Sequence, residues 1–190
     1  MIAKFAGLAL GATLLAGAAD AEPLFSSFER LCAKPSADAK SALSLADAEG
    51  WMTMPAALLS KFQGSRDFEV SDGRIKSDGA GMHFLLVGVG SRAVRRETLT
   101  IRMCAVGATP ADGEAVKQDA ATWTGMSPNK RLSAASDVAY AFEERDGARI
   151  PVGDPSSAQA RTLVAGGRLK LLFVKADKQM TMIAYGVPSL

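Results

Sequence analysis

One residue has the intrinsic chemistry for a proton switch near neutral pH, the single histidine His83. It stands in an apolar run between Met82 and Phe84-Leu85, where a structural or edge role is the simpler reading. A catalytic base would also need a nucleophile within hydrogen-bond reach. No Gly-x-Ser-x-Gly elbow supplies one. Arg92, Arg95 and Arg96 form the densest group of one charge, with Arg102 further on and Lys130 and Arg131 in a later loop. Guanidinium groups grip carboxylates and phosphates bidentately, so this cluster suits an acidic ligand or an acidic envelope polymer. The competing reading is a solvated turn whose charges keep a sheet edge from aggregating.

Other residue groups are best read as structural. Glu143 and Glu144 are the only adjacent glutamates, and before Asp146-Gly147 they read as an exposed turn. Carboxylate pairs for glycoside hydrolysis are defined by separation in space, which spacing along the chain does not give. Trp51 and Trp123 could stack on a sugar, but both follow or end predicted helices, where they anchor a core. Gly79-Ala80-Gly81 and Gly88-Val89-Gly90 look like pieces of phosphate loops, yet no Gly-Lys-Ser/Thr follows either. Turns, or close backbone approach beside strands, explain them more simply. Met103, Met180 and Met182 read as core filler. No cofactor is implied.

The chain of 190 residues opens on Lys4, an uncharged run from Phe5 to Ala19, and then Ala19-Asp20-Ala21. This is the pattern of a secretory leader, with cleavage expected between Ala21 and Glu22. The run is short and glycine-rich for a membrane span, which makes an uncleaved anchor the lesser reading. No cysteine at the cut marks a lipoprotein. Loss of Lys4 and Asp20 leaves the net charge at +2, too near neutrality for a polyanion binder driven by bulk charge, so nucleic acid is not an expected partner. With 48% hydrophobic residues the chain is not a disordered one.

In an oxidising compartment the two cysteines, Cys32 and Cys104, are expected to form one disulfide. Its loop would contribute ~4 kcal/mol in the chain-entropy account. Two buried free thiols are the alternative. A zinc site is poorly served by one histidine and two distant cysteines.

These residues must be positioned by an alternation of helices and strands. Leu24, Phe25, Phe28, Leu31 and Cys32 recur at helical spacing, and Pro35 ends that helix. Ser36 is the expected N-cap of a second helix reaching Glu49, and Pro55 opens a third that Gly64 closes. The period then changes. Phe68 and Val70 predict a strand ending at an Asp72-Gly73 turn, and residues 82–89 predict a strand covered on both faces. A turn at Ser91-Arg92 leads into a strand over Glu97 to Cys104.

A helix from about Ala111 to Trp123 comes next, then a loop over residues 125–136. The Val138, Tyr140, Phe142 strand turns at Asp146-Gly147 into Ile150 and Val152. A helix begun by Asp154-Pro155 and stopped by Gly166-Gly167 precedes two last strands, Leu169 to Lys175 and Met180 to Tyr185. The expected architecture is one α+β domain over residues 22–190. It has a largely antiparallel sheet of about six or seven strands, with helices mainly on one face.

Phe28-x-x-x-Cys32, Gly50-Trp51 after a helix, Cys104 on a strand and Trp123-x-Gly125 together resemble a group of small exported alphaproteobacterial proteins of unknown function. The resemblance spans most of the mature chain and implies no activity. The functional expectation is a periplasmic or secreted, non-enzymatic protein that acts through protein or envelope contacts. The alternatives are an envelope hydrolase using acidic residues or His83, and a binder of acidic ligands through Arg92, Arg95 and Arg96.

Overall fold

The computed structural model describes residues 23–63, 68–79, 81–94, 97–134, 136–153 and 157–190. The leader, Gly64 and the Asp154-Pro155 helix start lie outside these residues. Eight strands form one sheet among the described residues. They are β1 (Met52–Thr53), β2 (Glu69–Ser77), β3 (Met82–Val94), β4 (Glu97–Thr109), β5 (Val138–Arg145), β6 (Ala148–Pro151), β7 (Leu169–Ala176) and β8 (Thr181–Ser189). Their spatial order is β1-β2-β3-β4-β8-β7-β5-β6, and every neighbouring pair is antiparallel. The α+β expectation holds. The strand count exceeds it because β1 is a two-residue edge with no alternation to betray it.

Five α-helices accompany the sheet among the described residues: α1 (Leu24–Phe28), α2 (Ala39–Ala48), α3 (Ala56–Leu59), α4 (Gly113–Thr124) and α5 (Ser157–Ala165). A π-helical turn, Glu29–Ala33, continues α1. The first face of the sheet carries α1, α2 and α4 over the larger core. Phe28, Leu31, Ala42, Ala46 and Ala120 there meet Leu85, Val87, Val106, Phe142, Leu172, Ile183 and Tyr185, all sealed from solvent. Each fully buried aliphatic or phenyl side chain of this kind contributes roughly 1.5–3 kcal/mol. On the second face a smaller core joins Val70, Phe84, Leu86 and Ala184 to Leu58, Leu59 and Phe62. There α5 also packs, its Thr162 and Leu163 lining a cleft with Glu143. Strand β3 is therefore covered on both sides, as its unbroken apolar run predicts.

Local chemistry sets the element ends, and in three places corrects the expectation. The N-cap of α2 is Asp38, whose carboxylate accepts from the Ser41 amide at 2.9 Å, and not Ser36. Ser36 and Ala37 have φ of 55° and 54°, left-handed values that no helix start accommodates. Asp72-Gly73 is no turn: β2 runs through it, with a bulge between Val70 and Asp72. The chain reverses instead at Asp78, whose carboxylate accepts from the Gly81 amide at 2.9 Å, with Gly79 at φ +83°. Ser91 and Arg92 likewise lie within β3, because pairing continues to Val94 opposite Glu97. By contrast Asp146 and Gly147, at φ 50° and 78°, form the expected hairpin turn.

The expected disulfide is present. Cys32 and Cys104 are bridged with Cα atoms 5.3 Å apart, and both are fully buried. The bridge ties the π-helical turn to the sheet's middle. Arg30 and Glu49 pair beside it (Nη2–Oε2, 2.9 Å), holding that turn against the end of α2.

Candidate functional site

The candidate residues fall in separate places. His83 sits at the start of β3, paired with Lys76 on β2 and Ala108 on β4. Its Nε2 is 2.9 Å from Oδ2 of Asp78, and its ring meets Trp51 edge-on at 6.3 Å. A carboxylate can only accept, so Nε2 carries the proton and Nδ1 of the neutral ring keeps a lone pair. The ring is 8% exposed and lines a cavity of about 260 Å³ between α1, the β2–β3 turn and α4. Asp78 supplies an orienting carboxylate that sequence reasoning missed. Its signal was an aspartate one residue before a glycine able to take positive φ.

The arginine cluster is divided. Arg92 lies in β3 opposite Leu99, while Arg95 and Arg96 lie outside the described residues. The backbone around them is informative. Strand β2 accompanies β3 only as far as Val89, and β8 accompanies β4 only from Thr100. From Gly90 to Val94 and from Glu97 to Leu99 the two strands pair with each other alone among the described residues. The hairpin thus overhangs the sheet, with Arg92 on its β3 arm.

Glu143 and Glu144 are not a pair. Successive strand residues face opposite sides of a sheet, and theirs do. Glu143, expected to be exposed, is 8% exposed on the second face. Its Oε1 accepts from Arg145 Nη2 and Arg168 Nη1, each at 2.6 Å. Two guanidinium groups compensate one buried carboxylate, so it is a structural charge. The tryptophans also have separate surroundings and are core anchors. Trp123 contacts Phe25, Phe28, Phe142 and Tyr185, and Arg149 covers its ring at 3.4 Å.

A polar group on the first face was not singled out by sequence reasoning. Lys170 on β7, 7% exposed, reaches Ser36 (Nζ–Oγ, 2.9 Å). Burial lowers its pKa, Arg102 adds to that, and Glu144 opposes it. Tyr185 lies 3.5 Å from Glu144 through its hydroxyl, and burial followed by that carboxylate raises its pKa. A serine beside a lysine readily deprotonated is the pairing that acyl transfer uses. The amides of Ser36, Ala37 and Asp38, which an oxyanion would need, already donate to Ala33, Cys32 and Pro35. The group is a buried polar support. Its signal was a lysine at an inward position of an otherwise apolar strand.

One further serine–lysine spacing, Ser127-x-x-Lys130, lies in the loop after α4 and lacks the helix that would turn both side chains to one side. No group of three metal-ligating side chains occurs among the described residues. Nor is any described helix long and apolar enough to cross a membrane. Compared with protein families, curated proteins and solved structures, the chain matches none.

Proposed function

We propose that the protein is exported and acts without catalysis, by contact with an acidic partner in the cell envelope through the β3–β4 hairpin. The observation that carries this reading is the overhang: among the described residues β3 runs beyond β2 and β4 beyond β8 in the stretch that carries Arg92, and Arg95 and Arg96 follow it in the sequence. An edge that pairs with nothing needs charge to avoid self-association, and three arginines in five residues provide it. The same charges offer bidentate donors to carboxylate or phosphate groups. Export is supported by the leader pattern and by the buried Cys32–Cys104 bridge, a linkage that persists in oxidising compartments. The kinship with small exported alphaproteobacterial proteins, carried by Phe28, Cys32, Gly50-Trp51 and Trp123-x-Gly125, belongs to the same proposal.

The test uses protein recovered from the periplasm after expression of the full chain, with lipopolysaccharide as the acidic polymer. Binding should weaken steeply between 50 and 300 mM salt, since exposed charges are screened within roughly 10 Å at about 0.1 M. Replacing Arg92, Arg95 and Arg96 together by Glu should reduce it at least tenfold. Binding that ignores both salt and charge reversal would sink the reading. Retention of the unprocessed chain in the cytoplasm with two alkylatable thiols would remove its premise.

A hydrolase built on His83 is the second reading, and the Asp78–His83 pair beside a cavity favours it. It lacks a nucleophile: the ring's polar contact among the described residues is Asp78.

A further inference from the structure

The cavity beside His83 has a charge that nothing above explains. It lies between the first turn of α1 and the outer side of α4, and its volume is about 260 Å³. A dry apolar cavity of about 150 Å³ already accepts a benzene ring, so this one has room for a ring and a short polar arm. Phe25 and Val116, both buried, supply apolar wall. The polar lining is one-sided. Asp78, Asp112 and Asp119 contribute carboxylates, and among the described residues no lysine or arginine lines the space.

The carboxylates are not equivalent. Both oxygens of Asp78 are engaged, one by His83 and one by the Gly81 amide. One oxygen of Asp112 caps α4, accepting from the amides of Glu114 and Ala115 at 3.0 and 3.1 Å. The Asp119 carboxylate, on the exposed side of α4 one helical spacing from Ala115, is the freest of the three. Beside Asp78 stands the His83 imidazole, 8% exposed, whose Nδ1 makes no hydrogen bond among the described residues. With Nε2–H committed to Asp78, Nδ1 can only accept in the neutral ring. Among the described residues the polar side chains that line the cavity are thus three carboxylates and an imidazole, beside apolar wall. An anion would be repelled, and a neutral ligand would leave the carboxylates without gain.

We propose that this cavity binds a small organic cation, a primary amine attached to an apolar body. The ammonium group donates to Nδ1 of His83 and to Asp119, and the apolar part lies against Phe25 and Val116. The proposal does not depend on the arginine hairpin, which lies at the opposite end of β3.

Benzylammonium, benzyl alcohol and benzoate are the probes, titrated into the exported protein and followed by calorimetry and by the His83 ring signals in NMR spectra. Benzylammonium should bind saturably, at least tenfold more tightly than benzyl alcohol, and benzoate should not bind. Asp119→Asn together with Asp112→Asn should abolish that tenfold preference while leaving benzyl alcohol unchanged. Asparagine caps helices as well as aspartate does, so α4 survives the change. His83→Gln should weaken benzylammonium at least threefold. Equal binding of the amine and the alcohol, binding of benzoate, no saturable binding, or a preference untouched by the double variant would each overturn the proposal.

Discussion

Lys170 enters β7 between Leu169 and Leu171, and its side chain shares the first face with Leu172 and Val174. Because burial is the main cause of its lowered pKa, the folded chain releases this proton more readily than the unfolded chain, whose lysines titrate near 10.4. Below the folded value the charged side chain costs the native state its full penalty. As pH climbs from there towards 10.4, the unfolded chain binds more protons than the native one, so stability must rise. Tyr185 and Tyr140 act with the opposite sign. Their raised values favour the folded state in full below about pH 10, and that contribution is lost progressively as pH rises beyond it. The pH range that ends near 10 therefore isolates the lysine. Urea unfolding across it should show wild-type stability increasing and Lys170→Met flat. At pH 7 the variant should be unchanged or more stable by about 1 kcal/mol, as when well-packed apolar groups replace buried charge. Parallel curves for the two proteins would refute this account.

Strand β3 shows how a glycine can be a packing residue. A Cβ at Gly88 would collide with the Glu69 carbonyl oxygen, beside the bulge between Val70 and Asp72. Gly88→Val should cost roughly 2–3 kcal/mol by chemical denaturation, the range for forced overpacking. Gly153, with nothing within 4 Å of a Cβ, should accept alanine at no loss. The β character of this segment was legible, since residues 82–89 are apolar without interruption and Gly88 read as a close backbone approach. Its end was not. Ser91 and Arg92 carry turn chemistry, but cross-strand pairing to Thr100 and Leu99 overrides it. The Asp72-Gly73 pair misled for the same reason: a bulge and a hairpin turn draw on the same residue types. An aspartate caps both α2 and α4, Asp38 and Asp112, and at α2 the nearby Ser36 drew the reading away from it. Of the candidate sites, the even cysteine count together with the export signal foretold the bridge. Spacing gave no hint of Asp78 with His83, or of Ser36 with Lys170 across 134 positions, because both juxtapositions arise only when strands register.

At the scale of the molecule, the sheet consists of two sets of strands joined at one seam. Strands β1 to β4 come from the first part of the chain and β5 to β7 from the second, and β8 alone connects them, between β4 and β7. It is also the best-buried strand: Ile183 and Tyr185 are sealed from solvent on the first face, and Ala184 packs in the core of the second. The disulfide cannot substitute for this strand. Its 72-residue span joins Cys32 to Cys104, both on the β4 side of the seam. It restrains the unfolded chain over that part alone. Removing residues 181–190 should therefore abolish cooperative unfolding even in fully oxidised protein. It would expose the flanks of β4 and β7 together and strip both cores at once. Far-ultraviolet circular dichroism and a denaturant titration of the oxidised truncated chain would check this. A sharp transition retaining most of the wild-type midpoint would mean that β1 to β4, with their bridged helices, hold together without the seam.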